Sequence, residues 1–416
     1  MLIASRIRDG VRAVAGGLPR PFWVLWTGTL VNRFGTFVLP FLAIYLTQVR
    51  RFSILQAGMV TALYGAGAAI AGPLGGFLAD HLGRRLTMIG ALVLGGAGMI
   101  ALGLAELPEV IAPACFLVAL ITEMYRPGMQ AALADLVPPA DRVRAFGLIY
   151  WVINLGFGIG LAVAGLLATV SYFLLFAGDG VTSMLFGLMV WRGVPETRPA
   201  RSARSPERPR AATHDGFFAP YRDPTFMLFL GLNFLFALVF MQHTLALPLD
   251  MTAHGVSRPA FGAAIALNGA VIVLVQPFLG PALARRNPSR TLAAGATLVA
   301  LGFGLNALAR TAPVYAAGVV IWTLGEIATL PLASAVVADL APIEVRGRYQ
   351  GAYGLSFGLA SCLAPTLGSV VLRRFGNVTL WSGCLVLGLV VAVGQLALAS
   401  PLAHERRARH AAHSPG

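Results

Sequence analysis

The chain has 416 residues, is 57% hydrophobic and only 12% charged, and has a mean hydropathy of +0.76. Soluble globular proteins carry about 25% charged residues, so this chain cannot be solvated as a soluble fold and reads as a polytopic helical membrane protein. The net charge of +14 raises nucleic acid as a partner, but the basic residues, all arginine, lie mostly in short segments between apolar runs, which argues against it.

In chain order, residues 1–21 form an N-terminal segment holding Arg6, Arg8, Arg12 and Arg20. It has no compact apolar core ending in a small-residue cleavage site, so it is not read as a signal peptide. A span needs about 20 apolar residues. Twelve are predicted: 22–48, 55–79, 86–105, 110–136, 143–169, 172–191, 224–249, 259–284, 290–309, 313–340, 347–372 and 377–400. Residues 192–223, rich in Arg, Pro and Ser, are too polar to span and too poor in apolar residues to fold alone. They read as a linker between two six-helix halves, 22–191 and 224–400, with a tail at 401–416.

Arginine counting sets the orientation. With the N-terminus in the cytoplasm, 23 arginines fall in inner segments; six fall outside, namely Arg50, Arg51, Arg258, Arg310, Arg373 and Arg374. Both termini and the linker are therefore expected inside. Cys115, Cys362 and Cys384 all fall in apolar runs, too scattered for a disulfide framework or metal site, and read as small core residues.

The connection between spans 2 and 3 reads Gly76-Phe77-Leu78-Ala79-Asp80-His81-Leu82-Gly83-Arg84-Arg85. This order resembles the loop between helices 2 and 3 of the major facilitator superfamily of transporters, apart from His81, where that family usually has arginine. The resemblance covers the whole chain and implies an all-α membrane protein of twelve transmembrane helices in two pseudo-symmetric six-helix halves. It lies nearest the twelve-helix drug:proton antiporter branch.

The halves repeat. A shift of 204 residues lays Ala134-Asp135-Leu136-x-Pro138-x-x-x-Arg142 on Ala338-Asp339-Leu340-x-Pro342-x-x-x-Arg346, and Gly76 on Gly280. Such a repeat marks two related transporter halves. The second copy of the loop motif has decayed, with Ala284 in the place of Asp80.

Ionisable groups inside spans are functional candidates by default. Here they are Arg33 in span 1, Glu123 and Arg126 in span 4, Asp179 in span 6, His243 in span 7 and Glu326 in span 10. The resemblance implies that helices 1, 4, 7 and 10 line a central cavity, and five of the six fall on those helices. Glu123 and Arg126, three apart, share a helix face; they read either as a self-neutralising pair or as a proton-accepting carboxylate tuned by an arginine. Glu326 has no basic neighbour within a turn, so it is expected to be protonated or to pair across the cavity with Arg33, Arg126 or His243. Glu123 and Glu326 are the proton-coupling candidates. Arg33 is an anchor for an anionic substrate or a counter-ion, and His243 a titrating or a packing group. Asp179, between glycines, reads as a structural polar bend. Aromatic residues suited to an apolar substrate include Phe34, Phe37, Tyr45, Tyr64, Tyr125, Tyr150, Trp151, Phe236, Phe240 and Trp322.

A second set, Gly76, Asp80, Gly83, Arg84, Arg85, Asp135, Arg142, Asp339 and Arg346, reads as a cytoplasmic gate. The resemblance implies that Asp80 meets the N-terminal end of helix 11, where the dipole favours an anion, and that Arg84 pairs with Asp135. The run Asn154–Gly165 is glycine-dense and resembles the antiporter motif of the drug-exporting branch, but it lacks that motif's proline; packing alone accounts for it equally well.

The chain thus reads as a secondary active transporter, not an enzyme: a proton-coupled exporter of small, partly apolar molecules working by alternating access. The alternatives are a proton-coupled importer or metabolite facilitator and, from another class, a non-transporting sensor. A prokaryotic inner membrane and a monomer are expected. No cofactor and no metal are expected, and the partners are protons, a small-molecule substrate and the bilayer.

Overall fold

The computed structural model describes residues 16–36, 38–199 and 216–400, so Phe37, most of the expected N-terminal segment, the middle of the linker and the tail lie outside the described residues. All regular structure among the described residues is helical. We number the twelve spans α1 to α12. The first is interrupted: Arg20–Phe34 ends at Gly35, and the chain resumes as Val38–Ile44 and a π-helical turn, Tyr45–Val49. Then come α2 (Ile54–His81), α3 (Arg84–Leu104), α4 (Pro108–Glu123 and Tyr125–Leu136), α5 (Arg142–Val170) and α6 (Tyr172–Gly193). The second set is α7 (Pro224–Phe240, a 3-10 turn Met241–His243, then Ala246–Ala253), α8 (Arg258–Ala284), α9 (Pro288–Gly304) and α10 (Ala312–Leu340). The last two spans lie in one run, Arg346–Ala397, which Gly376 (φ 83°) divides into α11 and α12. Its left-handed φ is one that only glycine adopts freely.

Nine helical runs among the described residues are long and apolar enough to cross a membrane. Three of the expected spans are not separate members of that set, for local reasons. The first is interrupted, α9 gives way to a 3-10 turn at Leu305–Ala307, and Ile343–Ala397 holds two spans in one run.

Two helices on which the sequence places chemistry are broken where the sequence reading makes them continuous. In α4 the ladder breaks at Met124. Pro127 has no N–H to give the carbonyl of Glu123, so the break falls beside the candidate carboxylate. In α7 the break falls at 241–245, and the span ends at Ala253 rather than 249.

The core is divided. One buried cluster holds Phe226, Phe229, Phe303, Trp322 and Trp381 of the second half. Two others belong mainly to the first half, one around Phe22, Met88 and Phe186 and one around Tyr45, Met99 and Phe176. Of the cysteines, Cys115 and Cys384 are buried, but Cys362 is exposed, so it is not the core residue its apolar run suggests.

Helices in lipid gain little from apolar contact alone, and small residues let their backbones approach. The α2–α11 seam shows this. A Cβ on Gly76 would lie 2.3 Å from the Gly347 carbonyl oxygen, and one on Gly351 would lie 2.3 Å from that of Gly72. A second seam joins α5 to α8, where the Trp151 indole donates to the Val273 carbonyl at 2.9 Å. Both seams join the halves toward the end of the bundle that carries the α2–α3 loop, here termed the motif face.

Candidate functional site

At the motif face, Asp80 ends α2 buried against the start of α11. Its carboxylate accepts the backbone N–H groups of Gly347 and Arg348, both at 2.9 Å, and the Arg348 Nε at 3.1 Å. An anion bound to free N–H groups at a helix N-terminus is favoured by the dipole as well as by the bonds.

The two repeats then exchange partners. Arg142 donates from Nε to the Ala134 carbonyl at 2.9 Å and reaches Asp339, in the other half, at 2.5 Å. Arg346 donates from Nε to the Ala338 carbonyl at 3.1 Å and reaches back to Asp135. Asp135 also pairs with Arg84 of α3, whose guanidinium donates to the Ile343 carbonyl at 2.6 Å across the interface. Four of the expected gate charges therefore form crossed ion pairs between halves, and Arg84 joins them.

Arg85 does something else. Its guanidinium donates to the Trp191 carbonyl at the end of α6, inside its own half. The turn before it needs Gly83, whose φ is 110° and whose absent Cβ leaves room for the Glu196 carboxylate. Glu196 accepts the backbone N–H groups of Arg84 and Arg85 at 3.0 and 3.1 Å, so it caps α3. The linker thus begins by docking on the motif loop, and its far end does the same. Arg348 donates to the Gly216 carbonyl, and the Phe217 ring lies 5.7 Å from that of Phe77.

Deeper in the bundle, Glu123 and Arg126 pair with each other, with Nη2 to Oε1 at 3.0 Å. Their side chains keep 22% and 42% exposure, so the pair is only partly buried. Glu326 is different: it is 3% exposed and meets none of Arg33, Arg126 or His243. Its Oε1 accepts from the Tyr150 hydroxyl of α5, and its Oε2 accepts from the Asn268 amide of α8 at 2.7 Å. Asn268 also donates to the Thr323 hydroxyl at 3.0 Å. Of the two expectations for Glu326, protonation or pairing with a cation, the pairing is not found; two neutral donors hold it, one of them from the opposite half.

Most of the expected cavity residues pack inside the halves instead. Arg33 is buried and donates to the Tyr125 hydroxyl at 3.1 Å. Tyr125 meets Phe186 edge-on within the first core. The ring of Trp322 stacks on Phe303 and Phe240 meets it edge-on, both within the second core. His243 sits in the α7 break, hydrogen-bonded to the Phe240 carbonyl at 2.7 Å and stacked on Trp322. In this conformation Arg126 keeps a part-exposed side chain, whereas Arg33, Tyr125, Phe240 and Trp322 are buried. Two of the α5 glycines serve packing against span 1: a Cβ on Gly156 would meet the Arg33 Cβ at 2.5 Å, and one on Gly160 would meet the Arg33 carbonyl oxygen at 2.7 Å, whereas Gly158 and Gly165 face open space.

The family model of the Major Facilitator Superfamily matches residues 25–249 and 232–415. The chain belongs to that superfamily. Among its relatives, the MFS-type transporter YttB of Bacillus subtilis is 26% identical over 406 residues, covering 95% of this chain and 97% of the relative. The Na(+), Li(+), K(+)/H(+) antiporter of Planococcus maritimus is 25% identical over 356 residues, covering 79% and 84%. The quinolone resistance protein NorA of Staphylococcus aureus matches at 27% over 152 residues, covering 36% and 39%. The fold matches that of the human organic anion transporter MFSD10, with a TM-score of 0.74 at 17% identity over 90% of this chain and 99% of that one. It also matches the proton:xylose symporter XylE, with a TM-score of 0.70 at 15% identity over 90% and 94%. The chain is a multi-pass membrane transporter of this superfamily, and not an enzyme.

Within that family frame, the structure adds residues that the sequence reading passed over. Glu196 and Arg348 belong to the motif-face network. Tyr150 and Asn268 complete the surroundings of Glu326. Asp250, 1% exposed, lies one residue beyond the expected end of span 7. Its Oδ2 accepts from the Tyr315 hydroxyl of α10 at 2.8 Å and from the Trp381 indole of α12 at 2.9 Å, with His254 Nδ1 3.4 Å from Oδ1. A cut made on hydropathy excludes an aspartate at a helix end, though a carboxylate followed four residues later by histidine was a readable signal.

Proposed function

We propose that the chain is a proton-coupled secondary transporter that exports small, partly apolar molecules by alternating access. We place the motif face, both termini and the linker in the cytoplasm of a prokaryotic cell, as the arginine asymmetry supports. The observation that carries the coupling is Glu326: a carboxylate buried at the meeting of α5, α8 and α10, held by hydroxyl and amide donors and by no cation. An intramembrane acid without a counter-charge is the kind of group that takes and gives a proton as its access changes.

In the conformation described, the motif-face network is closed. Arg126 keeps 42% side-chain exposure in a bundle whose halves are joined at that end, which supports access from the opposite, outer face. In the proposed cycle a proton enters from outside onto Glu326 and substrate leaves. The halves then rock about the midplane, and the proton is released inside. The antiporter and drug-resistance names among the relatives favour exchange and export over import.

The test is transport in proteoliposomes with an imposed pH gradient, using a panel of lipophilic cations together with Na⁺. Glu326→Gln should abolish gradient-driven accumulation while substrate binding survives. Full concentrative transport by that variant would remove Glu326 from the cycle and leave Glu123 as the next carboxylate.

A further inference from the structure

We infer that Tyr150 is the positioning residue through which the proton on Glu326 controls the separation of the two halves. This rests on the reading of Glu326 as the proton-carrying group and adds the element that converts protonation into movement.

The geometry carries the inference. Tyr150 lies on α5 in the first half, and Glu326 on α10 in the second. The bond between them crosses the seam along which the halves must part. Its neighbours also cross it: Trp151 reaches the Val273 carbonyl, and a Cβ on Gly147 would lie 2.9 Å from the Gln276 amide nitrogen. Those contacts are neutral and indifferent to a proton. The ion pairs at the motif face set each carboxylate against an arginine. Among the described residues, Glu326 to Tyr150 is the cross-seam bond whose acceptor is a carboxylate with no arginine on it.

Other titratable groups leave this acceptor undisturbed. On α4, Glu123 and Arg126 pair with each other. On α11, Tyr353 lies within electrostatic range of Tyr150. On α8 the facing group is the Asn268 amide, and the one charged residue of α9, Arg290, sits at its motif-face start.

With Glu326 ionised, the Tyr150 hydroxyl donates to a full negative charge, and such bonds are roughly twice as strong as neutral ones. A proton arriving on the carboxylate removes that charge, and the same contact becomes an ordinary neutral hydrogen bond. The difference corresponds to about a tenfold change in the ratio of closed to open seam. A proton taken up from one side therefore loosens the seam, and its loss on the other side tightens the seam again.

The experiment uses the full chain with the native cysteines replaced by serine and spin labels at Leu82→Cys and Arg286→Cys, two exposed motif-face positions in opposite halves. The distance distribution is recorded in alkaline and acidic buffer. Without further change, acid should raise the open-to-closed ratio about tenfold. Tyr150→Phe should be open-shifted at both pH values, with the pH response lost. Trp151→Phe, which breaks a proton-indifferent bond on the same seam, should keep that response. Where Tyr150→Phe folds poorly, a fluorinated tyrosine at 150 keeps the shape while strengthening the donor, and should move the pH midpoint toward acid.

A normal pH response in Tyr150→Phe, or an unmoved midpoint with the fluorinated residue, overturns the inference. If Glu326→Gln loses the response while Tyr150→Phe keeps it, the inference fails and the reading of Glu326 stands. If Glu326→Gln still accumulates substrate, that reading fails on its own account.

Discussion

Arg142 of α5 binds Asp339 at the end of α10 at 2.5 Å, across the interface between the halves, while its Nε holds the Ala134 carbonyl of its own half. Arg346 makes the mirror arrangement with Asp135 and Ala338. The repeated Ala-Asp-Leu-x-Pro-x-x-x-Arg string therefore works as an exchanged clamp. Each arginine is fixed by its own repeat and spent on the acid of the other. Both side chains of the Arg142–Asp339 pair are under 10% exposed. Asp339→Asn leaves a buried guanidinium without its charge partner, which costs on the order of 3–5 kcal/mol. The expected outcome is a lower melting temperature in detergent and a motif face open to labelling. Arg142→Gln combined with Asp339→Asn should recover most of the stability; a double variant as unstable as the single one would show that the clamp acts other than by charge pairing.

Gly76 and Asp80 act one helical turn apart on the same seam. Gly76→Ala places a methyl 2.3 Å from a backbone oxygen that cannot rotate away, so α2 and α11 must separate. Asp80→Asn keeps the shape but removes the anion from the α11 terminus. Both should insert normally and transport slowly, with the motif face open to cysteine labelling. Gly90→Ala, where an added Cβ meets nothing within 4 Å, should transport normally. Equal damage from Gly90→Ala would mean that the effect belongs to glycine itself and not to the seam.

Asp250 anchors the detached end of α7 to α10 and α12. Asp250→Ala leaves the buried Trp381 indole without its acceptor, at about 1–3 kcal/mol for an unsatisfied group, and leaves the Tyr315 hydroxyl only the His254 ring nitrogen 3.0 Å away. Hydrogen exchange over 246–253 should rise while the motif-face amides stay protected. Uniform loss of protection across the bundle would show instead that Asp250 supports the whole half.

The twelve spans were legible because hydropathy and arginine placement follow directly from the bilayer. The repeat, too, was visible by eye. Which aspartate each repeat arginine binds was not, because a repeat states what recurs and not which copy it faces. Glu123 and Glu326 lie one residue out of register in the repeat, which turns them about 100° apart around their helices. One is consequently partly exposed and the other buried, although their sequence settings look alike. Tyr125, Phe240 and Trp322 sit on the helices named for the cavity, yet face into the halves; helix identity does not fix helix face. The breaks at Met124 and 241–245 were not read because a span-length hydropathy average runs through the polar residues that mark them, Glu123, Arg126 and Pro127 at one and Gln242, His243 and Thr244 at the other.

The Glu123–Arg126 pair gives the last prediction, and its exposure changes what the pair should do when broken. In a sealed core, losing Arg126 alone would strand a charge and be worse than losing both partners. Here both side chains are only partly buried, and pairs that are not sealed in a core are worth about 0–1 kcal/mol. Glu123→Gln, Arg126→Gln and the double change should therefore melt within a few degrees of one another. Transport then separates the roles without interference from folding. If the pair only balances charge, the double variant regains the transport that Arg126→Gln loses. If Glu123 exchanges protons or Arg126 meets substrate, the double variant stays inactive although it is as stable as the parent. Thermal melting and gradient-driven uptake measured on the same three preparations decide between these, and a double variant that is both stable and active would leave Glu326 as the sole carboxylate in the coupling scheme.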